Sequence, residues 1–306
     1  MMKKHFKKLV NLALTAVMVM GMSTTTFAKE SNNISNDTVT KTNNIIYSPE
    51  FPDAYIVTET SPAPNNYSLN NESKQLDTIT ATVFVEETLA TDKNEDIYVS
   101  NSRLLSKDEV ENIGIDNFSN INTMSTSRAA KRTYGKLTLT FSGSQSISGK
   151  SVSCKLNGNA NWDFGAFTSS EKNPAIGKDF MGITWSGLFT TNSSSCSATD
   201  LTGKVTYPTM VDSIANGGRV WSFEEILFED HFANYNKNIN ATINIKKNTM
   251  TGNGNTAEAV LKYIHTYQKT TGSVSMNVGS DSVSAGFTLS NVKNLSLIHI
   301  SEPTRP

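Results

Sequence analysis

The densest set of groups able to do chemistry lies at Glu224, Glu225, Glu229, Asp230 and His231. Two carboxylates flanking a bond run glycoside hydrolysis, with the outcome set by their separation. A histidine beside carboxylates can also move a proton or hold a metal. A structural account competes with both. Ser222 to Glu225 forms a capping box, and Phe228, Phe232 and Tyr235 recur at helical spacing, so the spacing predicts a short helix over Phe223 to Tyr235. Its first turn then holds Glu224 and Glu225, where the helix dipole favours anions, and Glu229 and Asp230 fall on its wet face. Glu224, Glu225 and His231 are therefore weak catalytic candidates, and the chain reads as a non-enzyme more than as an enzyme.

Metal and cofactor chemistry has little to stand on. His231 and His265 are the only histidines between Lys29 and Asn294. No HExxH, no calcium loop, no phosphate-binding loop and no dinucleotide fingerprint occurs in the sequence. The expectation is no metal and no cofactor. Cys154 and Cys196 form an even pair, which in an exported chain reads as a disulfide. It would close a loop of roughly 43 residues and contribute about 4 kcal/mol on the chain-entropy model.

Two other groups could serve binding. Trp162, Trp185 and Trp221 could stack on sugars if exposed. Trp162 and Trp185 keep phase with apolar neighbours, which favours the core. Thr271 to Leu289 alternates apolar residues with Ser, Asn and Gly, as membrane-inserting hairpins do. A solvent-facing hairpin gives the same alternation. The arms also offer fewer residues than the about 9–11 of a spanning strand.

The elements that must position these groups are mostly strands. Leu137, Leu139 and Phe141 share a face, as do Val152, Cys154 and Leu156, then Ala160, Trp162 and Phe164. The pattern continues through Ile183 and Trp185, Val205 and Tyr207, Ile239 to Ile245, Val274 to Val278 and Val283 to Leu289. Ser142-Gly143, Asn157-Gly158, Asn216-Gly217-Gly218 and Gly252 to Asn255 read as turns. Thr256 to Tyr267 is ambiguous and leans to strand in its later part. The expected fold is all-β, an antiparallel β-sandwich or partly open barrel with one short helix, preceded by a largely irregular polar segment.

That polar segment, 29–130, carries 7 basic and 16 acidic residues, against 15 and 11 over 131–294. The two parts should attract weakly. Neither is basic enough for a nucleic-acid footprint. The segment resembles a propeptide or linker, with two ordered pieces. Thr78 to Val85 alternates as a strand, and Ser106 to Glu109 forms a capping box before Val110 and Ile113, with Gly114 as the stop. Lys131-Arg132 ends a polar, basic seam and is a candidate processing site.

The ends of the chain say where the protein works. Lys3, Lys4, Lys7 and Lys8 precede a mostly apolar run from Leu9 to Met22 and a small-residue stretch ending at Ala28. This is the order of a cleaved secretory signal over 1–28, with the cut between Ala28 and Lys29. Leu295 to Arg305 reads LSLIHISEPTR, the in-frame translation of a sequencing-library adapter, so 295–306 is set aside from fold reasoning and His299 is no site candidate. The Asn, Ser and Lys bias together with the signal looks like exported proteins of low-GC Gram-positive bacteria. The expectation is a secreted or cell-surface all-β binding domain, wall-associated or free, whose partner is a cell-surface glycan, a protein or a membrane. The alternatives are a β-pore-forming or membrane-active toxin and, behind it, an extracellular hydrolase.

Overall fold

The computed structural model describes residues 42–45, 53–63, 73–91, 97–114, 131–164, 178–200, 202–224, 236–248, 257–266, 274–277, 286–289 and 294–304. The strands are β1 (Thr42–Ile45), β2 (Ile56–Ser61), β3 (Ser73–Gln75), β4 (Thr78–Thr91), β5 (Ile97–Leu104), β6 (Lys131–Ser148), β7 (Ser151–Phe164), β8 (Lys178–Trp185) and β9 (Thr190–Asp200). They continue with β10 (Val205–Thr206), β11 (Thr209–Ile214), β12 (Gly218–Glu224), β13 (Asn236–Lys247), β14 (Ala257–Thr266), β15 (Val274–Asn277), β16 (Gly286–Leu289) and β17 (Asn294–Thr304). The described helix is α1 (Lys107–Ile113).

The strands form a ten-stranded sheet and a five-stranded sheet, both antiparallel, with a separate hairpin of β15 and β16. The larger sheet runs β1-β2-β4-β6-β7-β13-β9-β10, with β3 on β6 and β5 on β4. The smaller runs β11-β12-β8-β14-β17. The stretch set aside above as adapter-derived supplies most of β17, paired along β14. Among the described residues no closed barrel forms, and the arrangement is a β-sandwich.

Period-2 alternation explains the core. Ile79, Ala81, Val83 and Val85 of β4, Leu137, Leu139 and Phe141 of β6, and Ile239 to Ile245 at alternate positions of β13 all point inward. They meet Met181, Ile183 and Trp185 of β8 and Ala259, Leu261 and Tyr263 of β14 in one buried cluster. Trp162 and Trp185 are each 1% exposed, which confirms them as core. Trp221 is buried as well.

Several expectations need correction. Gly143 and Gly158 are not turns but lie inside β6 and β7. A Cβ at Gly158 would stand 2.7 Å from Leu261 Cδ1 and 3.2 Å from Ile183 Cδ1. At this glycine the smaller sheet presses close on the larger. The β6–β7 turn is Gly149-Lys150, with Gly149 at φ 60 supplying the left-handed first position of a two-residue hairpin. The helix expected from Phe223 is absent at its start. Ser222 and Phe223 are buried in β12, paired with Phe180 and Asp179 of β8, and Glu224 ends the strand. Burial of Trp221 and Phe223 at strand spacing outweighs a capping signal of about 1 kcal/mol.

The acidic segment contributes β1 to β5 and α1. Its β4 lies between β2 and β6, and Leu89 and Thr88 pair with Lys131 and Arg132 at the start of β6. Lys131 and Arg132 at the end of the basic seam therefore enter a hydrogen-bonded ladder. The capping box over α1 is present as read. Ser106 Oγ accepts from the Glu109 N–H, Glu109 accepts from the Ser106 N–H at 2.9 Å, and Gly114 ends the helix at φ 83.

Candidate functional site

The catalytic candidates are not brought together within the described residues. Glu224 closes β12 opposite Lys178, while Glu225 and His231 lie outside the described residues. Ala28 and Lys29 lie outside them too.

Cys154 and Cys196 are free, buried thiols. The expected bond is not formed, for a geometric reason. Cys154 pairs with Ile245 and Cys196 with Ala241, on opposite sides of β13. Two strand spacings separate them by roughly 10 Å and four residues of β13 by roughly 13 Å. A disulfide tolerates a Cα separation of up to about 7 Å. Burial pushes the two thiols up to about 11 and about 12, so neither is a nucleophile at neutral pH.

One end of the core holds a polar chain that the sequence reading missed. Glu87 continues the inward row of β4, Asp179 that of β8, and His265 that of β14. Asp179 is 0% exposed. Its Oδ1 accepts from the Thr266 N–H at 2.8 Å and its Oδ2 from the Tyr263 hydroxyl at 2.6 Å. Tyr263 in turn accepts from Trp162 Nε1 at 2.9 Å. His265 places Nδ1 3.0 Å from Asp179 Oδ2 and Nε2 2.8 Å from Glu87 Oε1. Both ring nitrogens thus face carboxylate oxygens within hydrogen-bond distance. A histidine held by an aspartate resembles the orienting half of a nucleophilic triad. Here the second nitrogen, which would serve the nucleophile, is occupied by Glu87. The chain Trp162–Tyr263–Asp179–His265–Glu87 ties β4 and β7 of one sheet to β8 and β14 of the other, as a buried latch.

The surface candidate is the outer face of the ten-stranded sheet. Register places Thr80, Thr140, Asn159, Asn240 and Ser197 in one row across β4, β6, β7, β13 and β9. Thr82, Thr138, Asn161, Asn238 and Thr199 form the next. Ser142, Asn157, Thr242 and Ser195 form a third. Side chains on such a face repeat about every 4.8 Å across strands and about every 6.8 Å along them.

Cross-strand hydrogen bonds fix many of them. Asn159 Nδ2 donates to Asn238 Oδ1 at 3.0 Å and to Asn240 Oδ1 at 2.8 Å. Within β13, Asn240 Nδ2 donates to Asn238 Oδ1 at 2.6 Å. Thr242 Oγ1 donates to Asn157 Oδ1 at 3.1 Å, and Asn244 Nδ2 to Ser193 Oγ at 2.9 Å. Thr82 and Thr138 share a hydroxyl contact of 3.1 Å. Groups held this way lose little further freedom when a partner binds. The alternation that puts Leu and Ile inside puts this array outside, so it was legible as the polar half of each strand.

The hairpin suspected of membrane insertion is present as β15 and β16, four residues each, with Val274 opposite Leu289 and Met276 opposite Phe287. It lies against β8, β11 and β14. No described helix is long and apolar enough to cross a membrane. Among the described residues no group of three or more His, Cys, Asp or Glu is placed to hold a metal ion.

No family model and no curated protein matches the chain. Among solved structures it is similar to the collagen-binding domain from a Staphylococcus aureus adhesin, with a TM-score of 0.25 and 6% identity over 54% of this chain and 95% of that one. It is similar to the C-terminal domain of the Streptococcus agalactiae AgI/II polypeptide BspA, with a TM-score of 0.22 and 10% identity over 74% and 94%. It is also similar to the collagen-binding domain of the Erysipelothrix rhusiopathiae surface protein RspB, with a TM-score of 0.22 and 8% identity over 88% and 97%. Scores this low leave the β-sandwich resting on the strand order and register described above.

Proposed function

We propose that this chain is an exported, surface-associated binding protein whose working surface is the outer face of the ten-stranded sheet. The observation that carries the reading is the ordered Asn, Thr and Ser array over β4, β6, β7, β13 and β9. It offers many donors and acceptors at fixed spacing, pre-set by bonds such as Asn159 to Asn240. The opening secretory signal supports an extracellular or cell-wall setting. The latch around His265 supports binding over catalysis, because its ring is committed at both nitrogens.

The test uses secreted chain applied to immobilised cells, to extracellular-matrix protein and to lipid vesicles. Asn159→Leu with Asn240→Leu removes two hydrogen-bonding amides from the centre of the array without adding charge or touching the core. Binding to the preferred surface should fall at least tenfold while the urea midpoint stays put. Unchanged binding by the double variant would overturn the assignment of this face. Leakage of vesicle contents would move the reading to the membrane-active alternative.

A further inference from the structure

The outer face changes character at one end. Here 142–156, 190–196 and 243–248 bring Lys155 and Lys246 onto it and contain no aspartate or glutamate. A groove of about 240 Å³ crosses four strands at this end, lined chiefly by Ser144, Ser153, Lys155, Asn192, Asn244 and Lys246. Lys155 pairs with Asn244, and Lys246 with Ser153, so the two lysines are diagonal neighbours on β7 and β13. Diagonal neighbours stand about 7–8 Å apart. Both are exposed, and neither has an ion-pair partner among the described residues. Two like charges at this spacing with no counter-charge beside them repel each other. Folding does not reward the arrangement, and an anionic partner would.

The backbone is adapted at the same place. The β13–β9 register slips between Asn244 and Ile245, which leaves Asn192 as the extra residue between Thr191 and Ser193. Such a bulge re-aims a side chain and recurs next to functional sites. Here it turns Asn192 to the groove.

We infer that this groove is a subsite for an acidic polysaccharide. Lys155 and Lys246 pair with its sulfate or carboxylate groups, and Ser144, Ser153, Asn192 and Asn244 hydrogen-bond its hydroxyls. The volume falls below the roughly 300–1,000 Å³ of clefts that enclose a drug-sized ligand. It suits one sugar unit of a longer chain that continues over the Asn and Thr rows. None of the lining residues is aromatic, so the groove lacks the platform on which single-stranded nucleic acid stacks its bases. This inference rests on the outer face being the binding surface.

The test is titration of the whole secreted chain with a sulfated glycosaminoglycan, the same polymer after desulfation, neutral dextran and inorganic polyphosphate. Each is measured with the parent, with Lys155→Gln plus Lys246→Gln, and with Lys237→Gln as an exposed control at the far end of β13. The sulfated chain should bind the parent most tightly, weaken with added salt, and lose at least tenfold in the double lysine variant but not in the control. Equal affinity for polyphosphate would overturn the sugar assignment. If the lysine variant binds as the parent while Asn159→Leu with Asn240→Leu does not, the subsite fails and the wider face stands. If neither variant changes binding, both fail. Absence of any binding by the parent would overturn the subsite outright.

Discussion

Replacing His265 by Leu should be among the most damaging single changes in the core. The ring is 2% exposed and sits between Asp179 and Glu87, themselves 0% and 6% exposed. Asp179 would keep the Tyr263 hydroxyl and the Thr266 N–H. Glu87 would lose the imidazole nitrogen 2.8 Å from its Oε1 and stay buried. Removing one partner of a buried ion pair typically costs about 3–5 kcal/mol, because the remaining charge is desolvated without compensation. Set against a typical total of about 5–15 kcal/mol, that is a large fraction of the stability. At about 2–4 °C per kcal/mol for a chain of this size class, the thermal midpoint should fall by roughly 6–20 °C. Urea titration at pH 7 measures the loss, with the slope checked to confirm that the transition keeps its cooperativity. Adding Glu87→Gln to His265→Leu removes the orphaned charge and should recover part of the loss, a coupling that a double-mutant cycle reads directly. A loss below about 1 kcal/mol for His265→Leu, or a double variant as damaged as the sum of the singles, would refute the latch.

Other outcomes follow from the packing and the titrating groups. Gly158→Ala should destabilise by about 1–3 kcal/mol in urea titration, since its Cβ would meet Leu261 Cδ1 at 2.7 Å in a closed core; Gly143→Ala, which would meet the Lys155 carbonyl oxygen at 2.8 Å, should behave alike. Cys154 and Cys196, raised to about 11 and about 12 by burial, should resist iodoacetamide at pH 8 in the folded protein and both react in denaturant without reductant; mass spectrometry reads the difference, and a single unreactive pair in denaturant would mean a disulfide. Hydrogen bonding from Arg103 lowers Glu109 from the ordinary 4.5 to about 2. The charged form is favoured in the fold, so its contribution is whole above pH 4.5 and is lost as pH falls towards 2. Amide exchange of α1 relative to β6 should rise over that window, and Arg103→Gln should abolish the step.

Local chemistry and alternation were readable from the sequence. The capping box at Ser106 and Glu109 sets α1 within its own few residues, so no distant contact was needed to see it. The period of two over Leu137 to Phe141 and Ile239 to Ile245 assigned both faces of the larger sheet at once. It placed Trp162 and Trp185 inside, and the Asn and Thr rows follow outside. What tertiary structure decided is where a local signal met a stronger distant partner. Asn157-Gly158 has turn composition, yet the glycine is there because Leu261 and Ile183 of the opposite sheet leave no room for a Cβ. Ser222 to Glu225 has a helix-start composition, yet β8 and β11 claim Ser222 and the core claims Trp221 and Phe223. The two cysteines satisfy the arithmetic of a disulfide, and strand order puts β13 between them. Glu87, Asp179 and His265 lie 178 residues apart at the extremes, each a polar residue in phase with an apolar row. Only the closure of two sheets on one another could show that those three anomalies answer one another, because a buried charge is tolerated where its partner arrives from across the fold.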